Sequence, residues 1–282
     1  MAGACAVAFS VLLLLAYASA EARWLDATAL SGSLQLQGHH VGWLARRLEK
    51  LGDPGAVALT TVALVALAAA RGRLRQAIAI AALVGVTSVS SQVLKALLAY
   101  PRDDALDFGG HIYQAAFPSG HSTAAMTLAA CAVLAAPRGA RPIAAGLGAL
   151  LALAVGYSVV TLGWHYPSDV VGGYLLATFW AHLAVAGLQA AERRWPQRVG
   201  RTRVTGAVTA AADHLTQLGL VTLALTAAAV GVLVVLTVAA SRPDAVLGFA
   251  SAHTAAVAAG GALAATAALL LFGVTAALTL RD

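Results

Sequence analysis

Long stretches of this chain carry no charge. Residues 57–70, 78–94 and 221–240 contain no Asp, Glu, Lys or Arg, and runs of this length approach or reach the thickness of a bilayer core. Only 11% of the 282 residues are charged and 60% are hydrophobic, far from the balance of a soluble domain. In lipid the backbone must satisfy its own hydrogen bonds, so only helices and closed barrels can span. The runs are rich in Ala and Leu and lack the two-residue alternation of a barrel strand. The expected fold is therefore all-α, a polytopic membrane helix bundle.

Eight apolar segments are expected as helices, at about 4–20, 55–70, 76–99, 122–136, 142–162, 167–190, 216–240 and 247–280. The second and fourth are short for a span of about 20 residues, so they continue into flanking residues or lie beside a thinned, protein-lined region. A basic stretch at 193–203 with Pro196 and Gly200 marks a boundary. This divides the chain into a core at 1–192, a basic cytoplasmic linker at 193–215 and a C-terminal transmembrane hairpin at 216–282.

The cations set the orientation. With a cytoplasmic N-terminus, 11 of the 18 Lys and Arg fall on the inner side and 7 on the outer, in the sense of the positive-inside rule. The net charge of +6 thus reflects topology, not a nucleic-acid surface. The first apolar run ends in Ala18-Ser19-Ala20, a pattern like that before a signal-peptide cleavage site, but no cationic n-region precedes it, and a retained span is expected. Residues 21–54 mix Trp24, Leu25, Trp43 and Leu44 with Arg46, Arg47 and Lys50, the mark of an interfacial amphipathic segment on the outer surface or of an ordinary loop. Cys5 and Cys131 lie in apolar runs and indicate neither a disulfide framework nor a thiolate metal site.

Three polar clusters interrupt the apolar chain, and this topology puts all three on the outer face. Lys95 ends the third span, with Arg102 seven residues later. Pro118-Ser119-Gly120-His121 opens the fourth. His165-Tyr166-Pro167-Ser168-Asp169 joins the fifth to the sixth. Free N–H groups at the start of a helix opened by Ser119 and Gly120 suit an anion, and Lys95 and Arg102 compensate its charge. Asp169, one turn beyond His165, can hold one ring nitrogen while the other attacks phosphorus. His121 is then the general acid. Polar groups gathered near lipid are costly without partners, which argues for a shared site. Asp103, Asp104, Asp107 and His111 lie in the loop between the first two clusters, as a solvated connection or as a cation site bridging to a diphosphate. A zinc site made of His121, His165 and Asp169 is an alternative whose spacing is unlike the helical His pair of common zinc enzymes.

At these residues the chain resembles the type 2 phosphatidic acid phosphatase family, whose signature is Lys, six residues, Arg-Pro; then Pro-Ser-Gly-His; then Ser-Arg, five residues, His, three residues, Asp. Lys95 and Arg102 have the spacing of the first part, with Asp103 in place of the proline. Pro118 to His121 complete the second. Ser158, His165 and Asp169 carry the third, with Val159 where the family has its second arginine. The resemblance covers about residues 55–190. It implies a six-helix core, with the two C-terminal spans outside it, and a metal-independent site that needs no cofactor. In that site His165 is the nucleophile, His121 the acid, Asp169 the orienter, and Lys95, Arg102, Ser119 and Gly120 the phosphate ligands. The loss of one charge-assisted donor at Val159 removes on the order of 1.5–3 kcal/mol of interaction, which weakens the chemistry without abolishing it. Arg242, His111 or a basic residue of 21–54 can substitute.

The function expected is that of an integral membrane phosphatase or phosphotransferase acting on a lipid-linked phosphate, at the extracytoplasmic face of the plasma membrane. A polyprenyl phosphate and a glycerophospholipid both fit. The competing expectation is a non-catalytic lipid-phosphate-binding or transport protein.

Overall fold

The computed structural model describes residues 1–99, 112, 114–196, 241 and 243–279, without the side chains of His39 and His40. The span expected at 216–240, the linker beyond Pro196, and Arg102, Asp103, Asp104, Asp107, His111 and Arg242 lie outside the described residues.

The described chain is helical, as its composition requires. Helix α1 (Ala2–Ala18) is almost wholly apolar and packs on the sixth core span. At Ser19 the backbone turns extended, and its Oγ accepts from Ala22 N at 3.2 Å. This cap starts α2 (Ala20–Leu34), which leaves α1 at 88°. Arg23 donates to the carbonyl of Tyr17 at 2.7 Å and so satisfies the open end of α1. Ser19 is therefore the cap that joins two helices.

Helix α3 (His39–Leu48) runs into a 3₁₀ turn (Glu49–Gly52). Asp53 then precedes Pro54, the favoured first residue of α4 (Pro54–Ala70), with a bend of 51° between the two helical pieces. Trp24, Leu25, Val41, Trp43 and Leu44 are exposed along this part of the chain. Residues 21–54 are thus helical with an apolar outer surface, and Glu49 and Gly52 of the same segment are buried.

Helices α5 (Leu74–Leu97), α6 (Gly120–Ala135), α7 (Arg141–Thr161) and α8 (Pro167–Arg194) complete the core. The shortness of α6 has a structural reason. It is the central helix, packed by α4, α5, α7 and α8, and 12 of its 16 residues are buried, so its length need not match the lipid. Ala129, Cys131, Val133 and Leu134 of α6 meet Ile80 and Leu83 of α5, Ala152 of α7 and Tyr174 and Ala177 of α8 in one apolar core.

The eighth apolar segment, expected as one long helix, is divided at His253 into α9 (Pro243–Ala252) and α10 (Thr254–Thr279). Helix α10 packs on α7 and α8, with Leu263, Ala267, Leu271 and Val274 in the same apolar core. Gln189 donates to the carbonyl of Ala277 at 2.9 Å and Arg141 to that of Leu278 at 3.3 Å, which ties its end to the bundle. Among the described residues, four helices are individually long and apolar enough to cross a membrane, or up to six if each bent pair forms one span.

Candidate active site

The site is assembled around the start of α8. Helix α7 ends in a reversal whose Gly163 has φ +76°, where a residue with a Cβ would be strained. Its N–H donates to Val160 O at 2.9 Å, and the N–H of Trp164 reaches Val159 O at 3.0 Å, closing the helix in the manner of a Schellman motif. Trp164 and His165 follow at once. Pro167 then begins α8 with its φ already suited to a helix.

Asp169 is the hub. Its Oδ2 accepts from Tyr166 N at 3.0 Å and lies 3.4 Å from His165 Nδ1. Its own carbonyl accepts from Ser119 N at 2.9 Å. One buried residue therefore fixes the turn before α8, holds one nitrogen of the imidazole and pins the start of α6. With Nδ1–H directed to the carboxylate, Nε2 of His165 keeps its lone pair.

The start of α6 is held from three further sides. Phe117, fully buried, packs on Phe9 at 5.4 Å and Tyr17 at 6.0 Å between ring centroids. Its ring lies so close to Gly172 that a Cβ there would stand 2.7 Å away. Gly173 approaches the backbone of Ser119 and Thr123 as closely. Ser119 Oγ accepts from Ser122 N at 3.4 Å and from the Ser122 hydroxyl at 2.9 Å. Ser119 is fully buried and acts here as the helix cap. The N–H groups of Gly120 and His121 follow with no acceptor inside the helix.

Lys95 brings its ammonium to this helix end. A Cβ on Gly120 would lie 3.4 Å from Lys95 Nζ, and Lys95 is within electrostatic reach of Asp169. A cation set against the positive end of a helix is unfavourable until an anion joins them. His121 stands beside the reversal that carries His165, its ring centroid 5.9 Å from that of Trp164. Five of the residues singled out by sequence besides Ser119 are thereby linked in space: Lys95, Gly120, His121, His165 and Asp169. Arg102 lies outside the described residues. Val159 is fully buried with Val160, Tyr166 and Val170 and offers no donor.

Sequence reasoning missed three carboxylates. Asp26 of α2 accepts from Ser168 N at 3.0 Å and also from the Ser168 hydroxyl, so it caps α8 from another helix. Glu49 and Asp53 flank His121, with Oε2 and Oδ1 at 3.5 and 3.3 Å from Nε2. The available signal was their scarcity. Of the 12 acidic residues, four lie in 21–54, a segment otherwise readable as a lipid-facing surface. Asp26→Ala is expected to cost about 1 kcal/mol, the ordinary worth of a cap, read as a lower thermal unfolding midpoint in detergent that Asp26→Asn largely restores.

Comparison with known proteins agrees with this architecture. The family model described as PAP2 superfamily matches residues 73–193. The fold is similar to the crystal structure of a transmembrane PAP2 type phosphatidylglycerolphosphate phosphatase from Bacillus subtilis, with a TM-score of 0.58 and 20% identity over 70% of this chain and 98% of that one. Comparison with curated proteins returns no match. The chain is a multi-pass membrane protein, and its residues 73–193, which hold α5 to α8, are similar to the PAP2 superfamily.

Proposed function

We propose that the protein is a phosphatase or phosphotransferase of lipid-linked phosphates that works through a histidine nucleophile. The observation that carries this reading is the hub at Asp169, which orients His165 through Nδ1 and joins that imidazole to the anion-ready start of α6. The phosphate rests on the N–H groups of Gly120 and His121 and on Lys95, with Arg102 as a further ligand. Ser119 shapes this cradle as its cap.

The lone pair on His165 Nε2 attacks phosphorus, and the bond to the ester oxygen breaks. His121 gives a proton to the departing alkoxide, which leaves as an alcohol. Water then attacks the phosphohistidine and passes a proton to His121. The P–N bond breaks, and His165 returns neutral. A second alcohol in place of water makes the same site a transferase.

Substrate chemistry follows from the surroundings. Trp164, Trp24, Leu25, Trp43 and Leu44 are exposed apolar side chains on the site's own reversal and on the segment leading to Glu49, which suits a substrate arriving through the lipid. A polyprenyl phosphate and a glycerophospholipid phosphate both meet this description. The positive-inside distribution of Lys and Arg supports a site on the extracytoplasmic side, in keeping with a plasma-membrane enzyme.

The test is phosphate release from purified protein in detergent, given each lipid phosphate in turn and compared with His165→Ala. Release by the wild type and none above background by the variant is expected. Equal release by the two would remove the catalytic reading and leave a lipid-phosphate-binding protein.

A further inference from the structure

The carboxylates beside His121 offer more acceptors than one N–H can serve in full. Nε2 carries at most one hydrogen, yet two carboxylate oxygens converge on it, Asp53 Oδ1 at 3.3 Å and Glu49 Oε2 at 3.5 Å. All three atoms lie within 4.8 Å of one another. Two like charges so close repel unless a cation lies between them. Glu49 is only 6% exposed, and among the described residues its ion-pair partner is this same nitrogen. A buried carboxylate aimed at one imidazole nitrogen alongside a second carboxylate is a donor set in search of positive charge.

The distances match a particular kind of cation. Metal–ligand bonds of about 2.0–2.2 Å in a tetrahedral zinc site put neighbouring donor atoms about 3.3–3.6 Å apart. Both edges measured from Nε2 fall in that range. One imidazole with two carboxylates suits zinc, whereas magnesium prefers six oxygens and keeps its water. The donors are also held in place. Glu49 lies in the 3₁₀ turn that packs on α6 and α7, and a Cβ on Gly52 would stand 3.0 Å from His121 Cβ, so the turn is pressed against the histidine. The Asp53 side chain is 46% exposed, which leaves a fourth position open to water.

We infer that Glu49, Asp53 and His121 form a zinc site whose occupancy turns the enzyme off. The inhibitory half rests on the proposed function. With zinc on Nε2 the ring has lost one of its two proton positions, and release of the proton at Nδ1 would leave an imidazolate. Zinc then occupies the position on Nε2 that a proton would take, and the leaving group goes unprotonated.

The experiment uses full-length, tag-free protein in detergent, with zinc chloride as the probe in competition with a fluorescent chelator and magnesium chloride as the control. One zinc per chain is expected, with no response to magnesium. Asp53→Asn and Glu49→Gln, which keep size and shape, are each expected to weaken zinc binding roughly tenfold or more. Zinc should raise the unfolding midpoint of the wild type but not of the variants, which must show the wild-type midpoint without zinc to count as folded. No zinc binding by the wild type, or undiminished binding by both folded variants, overturns the site whatever the turnover. Phosphate release is then measured with zinc and after chelation. Slower release with zinc, restored by the chelator, supports the switch, and full release from zinc-loaded protein overturns it. Zinc bound by a protein that releases phosphate under neither condition overturns the catalytic reading, and the inhibitory half with it, while the metal site stands.

Discussion

Asp169→Asn is expected to slow phosphate release by about one to two orders of magnitude, the kinetic equivalent of the ~1.5–3 kcal/mol that a hydrogen bond to a charged group contributes. The reason lies in the charge of the carboxylate. An asparagine that places its carbonyl oxygen where Oδ2 stands keeps the bond from Tyr166 N, 3.0 Å long in the wild type, and still accepts from His165 Nδ1. What it loses is the negative charge that supports the imidazole as its Nε2 bonds to phosphorus and the ring turns positive. The bond to Tyr166 survives, as does the backbone bond from Ser119 to the residue 169 carbonyl, so the variant should unfold near the wild-type temperature. The loss should fall on kcat with KM little changed. Undiminished activity would mean that the charge of this carboxylate does not support His165 in the reaction.

Gly173→Ala is expected to harm fold and site together. The added Cβ would lie 2.8 Å from Ser119 O and 2.9 Å from Thr123 N and Oγ1, and the first two are backbone atoms that cannot swing aside. Helices α6 and α8 must separate at the point where Ser119 is bonded to Asp169. Overpacking of this kind costs about 1–3 kcal/mol, and the displaced cradle should lose phosphate release beyond what instability explains. Gly187→Ala in the same helix is the control, since nothing stands within 4 Å of its Cβ position and helix propensity favours the change by about 0.5–1 kcal/mol. Thermal unfolding in detergent separates the pair, and equal midpoints would show that α8 yields at Gly173.

The described spans were legible because lipid leaves a coarse record, the removal of charge over many consecutive residues. Pro118 to His121 and the spacing from His165 to Asp169 were legible because each is local and opens a helix. The partners of these groups were not. Asp53 meets His121 across 68 positions and Asp26 meets Ser168 across 142, and pairings so distant leave no periodicity in the chain. The segment 21–54 misled for a related reason. Its apolar face is exposed as an interfacial helix would have it, whereas the carboxylates at its far end turn inward to the histidine. The bend at Ser19 likewise turns on one side-chain cap inside a continuous apolar run.

The lengths of two helices carry a last consequence. Helix α6 has 16 residues and α7 has 21, a difference of roughly 7 Å at 1.5 Å per residue. A short turn near Arg138–Ala140 joins them at one end, so the shortfall appears at the other, where Gly120 begins. The proposed anion seat is thus set back from the far end of α7. A head group already anchored by its own tails reaches such a seat without leaving the bilayer, whereas a free sugar phosphate must reach it unaided. Small water-soluble esters are therefore expected to compete poorly with lipid phosphates, even at millimolar excess.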